Sequence, residues 1–186
     1  VLSLDEKAFL NSLQQMPEFA LMLMSVMAQR LRRGLGRLAA ANKLAVEALE
    51  HANTLDGSKG NDRLEGGLGS DTLIGGKGLD TFVFNSVLGA GNIDTLSGFS
   101  VADDTIELGL EIFAALSGPG TLGSSEFRVA SSAQDGDDHI LYDSTTGALY
   151  YDADGVGGIA QVQFATVGTG LALSNADFFA APYAIP

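Results

Sequence analysis

Three aspartates stand nine residues apart, Asp62, Asp71 and Asp80, each with glycines two and five positions upstream. Residues 57–65 read GSKGNDRLE, residues 66–74 GGLGSDTLI and residues 75–83 GGKGLDTFV. Glycine accepts positive φ and leaves carbonyl oxygens uncovered, so six residues can turn tightly while aiming oxygens to one side. Each aspartate adds a negative charge to that turn. Such an oxygen-only set suits a hard cation, and calcium, with about 6 to 8 ligands in forgiving geometry, fits it better than octahedral magnesium.

The residues after each aspartate must position these turns. They place one apolar side chain, Leu64, Leu73 or Phe82, at the centre of a short strand, and Asn53, Thr54 and Leu55 supply the tail of a weaker preceding copy. Turn and strand repeated in tandem stack into a parallel roll with a thin ladder of Leu64, Leu73 and Phe82 inside. Ordering a residue costs about 1 to 2 kcal/mol of chain entropy, which so thin a ladder does not offset while the aspartates repel one another. A divalent ion between the turns is therefore expected to supply the missing folding free energy.

The nonapeptides resemble the repeat-in-toxin (RTX, hemolysin-type) calcium-binding family. In that family each ion lies between turns two repeats apart, held by carbonyls of the second and fourth positions and the Asp of one turn, and by carbonyls of the first and third positions and the Asp of the other. The resemblance implies a complete site from Ser58, Gly60 and Asp62 with Gly75, Lys77 and Asp80, where Ser58 and Lys77 offer only carbonyls. It implies a second site from Gly67, Gly69 and Asp71, for which no intact fourth repeat exists. Asp94, in the degenerate GAGNIDTL, is the expected missing carboxylate.

Charge divides the chain. The net charge is −13, yet residues 1–50 hold six of the ten Lys and Arg, five of the 23 acids and two of the 24 glycines. The acidic remainder repels nucleic acid and anionic membranes, which leaves cations as partners. No cysteine is present, which removes disulfides, thiolate catalysis and Cys-type zinc sites. The most apolar run, residues 19–28, is about half a bilayer span, and acids precede it while arginines follow, so neither a transmembrane helix nor a signal peptide is expected there. The chain begins at Val1, as a fragment would.

Residues 4–50 carry a heptad-like apolar seam, Met24, Ala28, Leu31, Leu35, Leu38, Ala45 and Leu49, interrupted by Asn42. It reads either as a helix packed on its own domain or as a coiled coil forming a homodimer. Residues 1–35 resemble the end of a cyclic-nucleotide-binding domain of the Crp/Fnr regulator family, with Pro17, Ala20, Leu23, Ala28, Arg30 and Leu31 at that family's positions. The family's phosphate-binding cassette lies upstream of the matching segment, so nucleotide binding does not carry over. The arginines read as a solvated helix face.

Residues 92–109 resemble the strand pair that follows the roll in the serralysin-type C-terminal domain, with Gly98 where that family usually has Asp. Residues 139–167 alternate in polarity around an STTG turn and predict a hairpin followed by a strand. Asp152, Asp154 and Gly155 start like an EF-hand, but Val156 and Gln163 occupy ligand positions, so a turn is expected instead. Asp135, Asp137 and Asp138 read as a solvated loop. Residues 171–186 resemble the uncleaved C-terminal signal of type I secretion substrates.

His51 and His139 are the two histidines, neither in a metalloprotease motif, and no GxSxG or Walker loop is present. The expected fold is mainly β: a short parallel β-roll packed on antiparallel strands, with an N-terminal α-helical extension. Its parts are a helical extension at 1–52, a roll at 53–84 and a β-rich C-terminal domain at 85–186. The expected function is that of a secreted, extracellular, non-enzymatic module that binds Ca2+, folds on binding it and uses the type I secretion machinery. The alternative is the non-catalytic C-terminal part of a secreted hydrolase such as a serralysin-like metalloprotease.

Overall fold

The computed structural model describes residues 52–183, which lie within one compact unit, Leu49–Pro186. The expected helix of residues 4–50, with its dimer seam, the Crp/Fnr-like segment and His51, lies outside the described residues. Among the described residues no helix is long and apolar enough to cross a membrane.

The chain opens as six short strands: β1 (Thr54–Asp56), β2 (Arg63–Glu65), β3 (Thr72–Ile74), β4 (Thr81–Phe84), β5 (Asp94–Ser97) and β6 (Thr105–Gly109). Successive strands alternate between two sheets, so β1, β3 and β5 pair in parallel in one and β2, β4 and β6 in the other. This is the expected parallel β-roll. Its stacking period is two nonapeptides, with Leu55, Leu73 and Leu96 in one register and Leu64, Phe82 and Ile106 in the other. The single ladder of Leu64, Leu73 and Phe82 therefore resolves into two facing ladders, because each six-residue turn carries the chain across to the opposite sheet.

Both sheets run on beyond residue 84. A hairpin of β9 (Ile140–Asp143) and β10 (Ala148–Tyr151) leads to β11 (Val162–Thr166), which pairs in parallel with β5. In the other sheet β12 (Phe178–Ala181) pairs in parallel with β6 and antiparallel with β7 (Gly120–Thr121). β8 (Phe127–Arg128) closes the first sheet beside β9. The later strands thus continue the sheets of the roll edge to edge instead of forming a separate packed layer. The STTG turn folds as read: the Asp143 carboxylate accepts from the Thr145 amide and from the hydroxyls of Thr145 and Thr146, and Gly147 takes φ +81°. Those Thr145 and Thr146 bonds hold the Asp143 carboxyl below its ordinary value.

The ladders of the roll feed into an aromatic core. Phe164 meets Phe84 and Phe113 edge-on at centroid distances of 5.0 and 5.2 Å, and Phe113 meets Tyr151 at 5.0 Å. Phe82, Phe113, Phe164 and Phe178 are all buried. Each buried ring contributes about 1.5 to 3 kcal/mol on transfer from water. The apolar interior is therefore larger than the repeats alone suggest, and any need for a cation must come from the charges at the turns.

The last described residues tie back across the roll. Tyr183 donates its hydroxyl to Glu107, contacts Arg63 of the second strand and donates its backbone N–H to Glu111 at 2.8 Å. Ser174 and Asp177 form a capping box around the 3-10 turn Asn175–Asp177 that launches β12.

Candidate metal centre

The turns fall on two edges of the roll. Residues 57–62 and 75–80 stack on one edge, followed by 98–104; residues 66–71 and 85–93 stack on the other. Within each repeat the second and fourth positions take positive φ: Ser58 (+68°) and Gly60 (+118°), Gly67 (+85°) and Gly69 (+117°), Gly76 (+101°) and Gly78 (+137°). Ser58 is the one residue of the six with a side chain to strain. A left-handed non-glycine costs about 1 to 2 kcal/mol and glycine gives back about 0.5 to 1 in chain entropy, so Ser58→Gly is expected to stabilise slightly, by about 0.5 kcal/mol, read as a small rise in melting temperature.

Asp71 and Asp80 divide the duties of their two carboxylate oxygens. One oxygen accepts the backbone N–H of the equivalent residue one coil earlier: Asp71 from Asn53 at 2.6 Å, Asp80 from Asp62 at 2.9 Å, Asp94 from Asp71 at 2.9 Å and Asp104 from Asp80 at 3.1 Å. The other oxygen, Oδ2, is buried without any partner in Asp62, Asp71 and Asp80. A buried carboxylate oxygen with nothing to accept costs a large desolvation free energy. Three such oxygens at equivalent turn positions form a donor set suited to a cation.

On the first edge, Asp62 Oδ2 and the Gly75 carbonyl oxygen lie 2.7 and 2.8 Å from the point where a Gly57 Cβ would stand, so both oxygens border the same glycine. Gly75 is equally filled by its own repeat, with Asp80 Oδ2 at 2.4 Å from its Cβ position. The Ser58 carbonyl accepts from Lys77 N–H at 3.2 Å and the Lys77 carbonyl from Gly60 N–H at 2.9 Å. Ser58, Gly60, Asp62, Gly75, Lys77 and Asp80 are thus brought together in two adjoining turns.

On the second edge, Asp71 Oδ2 and Asp94 Oδ2 converge on Gly66, 2.5 and 2.9 Å from its Cβ position. Asp94, expected from the degenerate segment, does stand beside Asp71, and both are buried, Asp94 at 4% and Asp71 at 1% exposure. Gly67 lines a small cavity together with Asp94, and Gly69 is buried nearby. Among the described residues no three His, Asp or Glu side chains form a metal-holding group, so an ion here would take its remaining oxygens from neutral groups such as backbone carbonyls.

Burial pushes the Asp94 carboxyl up to about 6; the nearby Asp71 charge adds to the rise and the Asp71 N–H opposes it. The folded value lies above the ordinary 3.8, so the charged form burdens the folded state above pH about 6, and that burden lifts as pH falls toward 4. In chelator, β structure is therefore expected to increase between pH 7 and 5. Asp94→Asn should show that gain already at pH 7 by circular dichroism.

Asp104 is a residue the sequence reading missed. It stands where the third first-edge turn ends, 7% exposed, and its two oxygens accept from Asp80 N–H and from Ser100 N–H at 2.8 Å, so it caps the aspartate stack. The signal was present: Asp-Thr-apolar recurs at Asp71, Asp80, Asp94 and Asp104.

Away from the roll, Asp138 corrects the expectation of a solvated loop. Asp135 and Asp137 are exposed, but Asp138 is fully buried and paired with Arg128 at 2.5 Å. Burial alone would raise its pKa; the Arg128 guanidinium and the Gln134 and Asp135 amides override that and hold it below the ordinary value. Asp154 accepts from Ile159 N–H, closing a turn as expected, and burial raises the Asp152 carboxyl. His139 Nδ1 lies 2.9 Å from the Asp152 carbonyl oxygen, a structural tie between two loops.

Residues 48–82 match the family model of the RTX calcium-binding nonapeptide repeat (4 copies). No curated protein matches the chain. Among solved structures, the solution structure of the AlgE6R3 subunit from the Azotobacter vinelandii mannuronan C5-epimerase is similar at 26% identity and a TM-score of 0.38, over 68% of this chain. The chain spans 66% of that neighbour's length, just under two thirds.

Proposed function

We propose, from the RTX calcium-binding repeats of residues 48–82, that the chain is a module that holds calcium at both edges of its roll, folds on binding it outside the cell, and is exported by type I secretion. One observation carries the reading: the buried, unpartnered Oδ2 atoms of Asp62, Asp71 and Asp80. Bound calcium supplies the positive charge that lets these carboxylates be buried together.

The residues divide the work. Asp62 and Asp80, with carbonyls of Ser58, Gly60, Gly75 and Lys77, form the first-edge donor set; Asp71 and Asp94, with carbonyls of Gly67 and Gly69, form the second. Asp71, Asp80 and Asp94 also clamp the preceding coil through their Oδ1 atoms, so filling the site and ordering the backbone are one event. In the calcium-poor cytosol the unneutralised carboxylates keep the chain open for export. Its C-terminal segment supports this order of events: once folded, Phe178 and Ala180 are buried in β12 between β6 and β7, where export machinery would not reach them.

Calorimetric titration of the full chain with calcium chloride tests the reading. Binding in the range of about 10⁻⁴ to 10⁻³ M is expected, as for other extracellular modules. Asp71→Asn and Asp80→Asn should each weaken a different ion. No calcium retained at millimolar concentration would end the reading.

A further inference from the structure

The second edge lacks a fourth nonapeptide, and the loop that replaces it has nine residues, 85–93, in place of the six-residue turn 66–71. That loop is organised around Asn92. Its backbone N–H bonds to the Gly89 carbonyl at 2.9 Å, its side-chain Nδ2 donates to the Val87 carbonyl at 2.8 Å, and the adjacent Ile93 N–H donates to Ser70 Oγ in the facing turn at 3.2 Å. With Nδ2 engaged, the other end of the amide is fixed as the oxygen. Asn92 Oδ1 is buried and has no partner, a costly arrangement for an amide oxygen that a loop residue could leave in water.

Three facts meet at this place. Asn92 lines a cavity of about 10 Å³ together with Gly67 and Asp94, space for a single water or ion. Asp71, 1% exposed, turns its own orphaned Oδ2 toward Gly66, where Asp94 Oδ2 also points. Asn92 further lines an open recess of about 370 Å³ with Leu68, Gly69 and Gly91, so it stands between the cavity and solvent.

We infer that Asn92 Oδ1 is a ligand to the second-edge cation, completing with Asp71, Asp94 and Gly67 a site closed by the irregular loop in place of a repeat. The inference rests on the proposed calcium reading of that edge. The chemistry is consistent: two carboxylates match one divalent charge, and a neutral amide oxygen adds coordination without adding repulsion, as Asn does in other calcium sites. It also explains a loop that spends an asparagine where the repeats use a glycine carbonyl.

The test is calorimetry with calcium chloride on the full chain and on Asn92→Ala, Asn92→Asp and Asp71→Asn, each checked for β structure in saturating calcium. The ion weakened in Asp71→Asn identifies the second edge. Asn92→Ala is expected to weaken that same ion by about tenfold and leave the first-edge ion unchanged. Asn92→Asp keeps the oxygen and loses the Nδ2 donor, so it should bind as tightly as the parent chain or more tightly. If both variants weaken binding equally, the bond to Val87 is what matters and the ligand role is overturned. An unchanged second-edge ion in Asn92→Ala overturns it as well, without touching the calcium reading. Absence of any calcium binding by the parent chain removes both.

Discussion

Gly78→Ala is expected to prevent the roll from forming at any calcium concentration. A Cβ at residue 78 would stand 1.8 Å from the Gly60 carbonyl oxygen, which is backbone of the facing turn and not the yielding end of a side chain. The φ of +137° adds strain of its own. Relief would require the turn 75–80 to lift off 57–62, separating Asp80 from the Asp62 N–H it accepts. The cost should reach about 4 kcal/mol or more, a large part of the roughly 5 to 15 kcal/mol available to a domain. Gly60→Ala is the control: its φ of +118° is also strained, but nothing lies within 4 Å of its Cβ position. Thermal unfolding in saturating calcium should find Gly60→Ala weakened and folded, and Gly78→Ala without a cooperative transition.

Asp80→Ala is expected to raise the calcium concentration at the folding midpoint well over tenfold, and Asp80→Asn to raise it less. The asparagine keeps an Oδ1 that accepts the Asp62 N–H; it loses the charge that neutralises the ion. Alanine loses both, and leaves the Asp62 amide without its acceptor at an added cost of about 1 to 3 kcal/mol. Asp80 is also tied to the next coil, since its own N–H reaches Asp104 Oδ1. A circular dichroism titration with calcium orders the three chains. Equal midpoints for parent and Asp80→Asn would remove the carboxylate charge from the account.

The roll could be read from the sequence because period nine leaves few options: glycines at fixed positions dictate the turn, and the residue two past each aspartate dictates the inward face. What the period hid was the alternation between sheets, which separates Leu73 from Leu64 and Phe82. The place of Asp94 beside Asp71 was legible because a recognisable Asp-Thr-Leu survives in the degenerate segment; Asp104 was overlooked because Gly98 drew attention to a lost position instead of a shifted one. Asn92 carries no repeat signal at all, and only its stranded oxygen reveals it. Asp138 looked like any other acid in a loop, since a burial decided by Arg128 ten residues away leaves no local pattern. The larger aromatic core of Phe84, Phe113 and Phe164 was likewise invisible, being assembled from residues up to eighty positions apart.

That core shifts the weight of the central claim. Calcium dependence cannot rest on a thin apolar ladder, because the ladders merge with buried rings from the later strands. It rests on carboxylates that the fold buries and leaves half satisfied. Far-UV circular dichroism of the full chain, recorded in chelator and again after adding calcium to several millimolar, puts this to the test most directly. The account predicts that the β signal is weak in chelator and returns, reversibly, with calcium. A β signal of the same size in both solutions would contradict it.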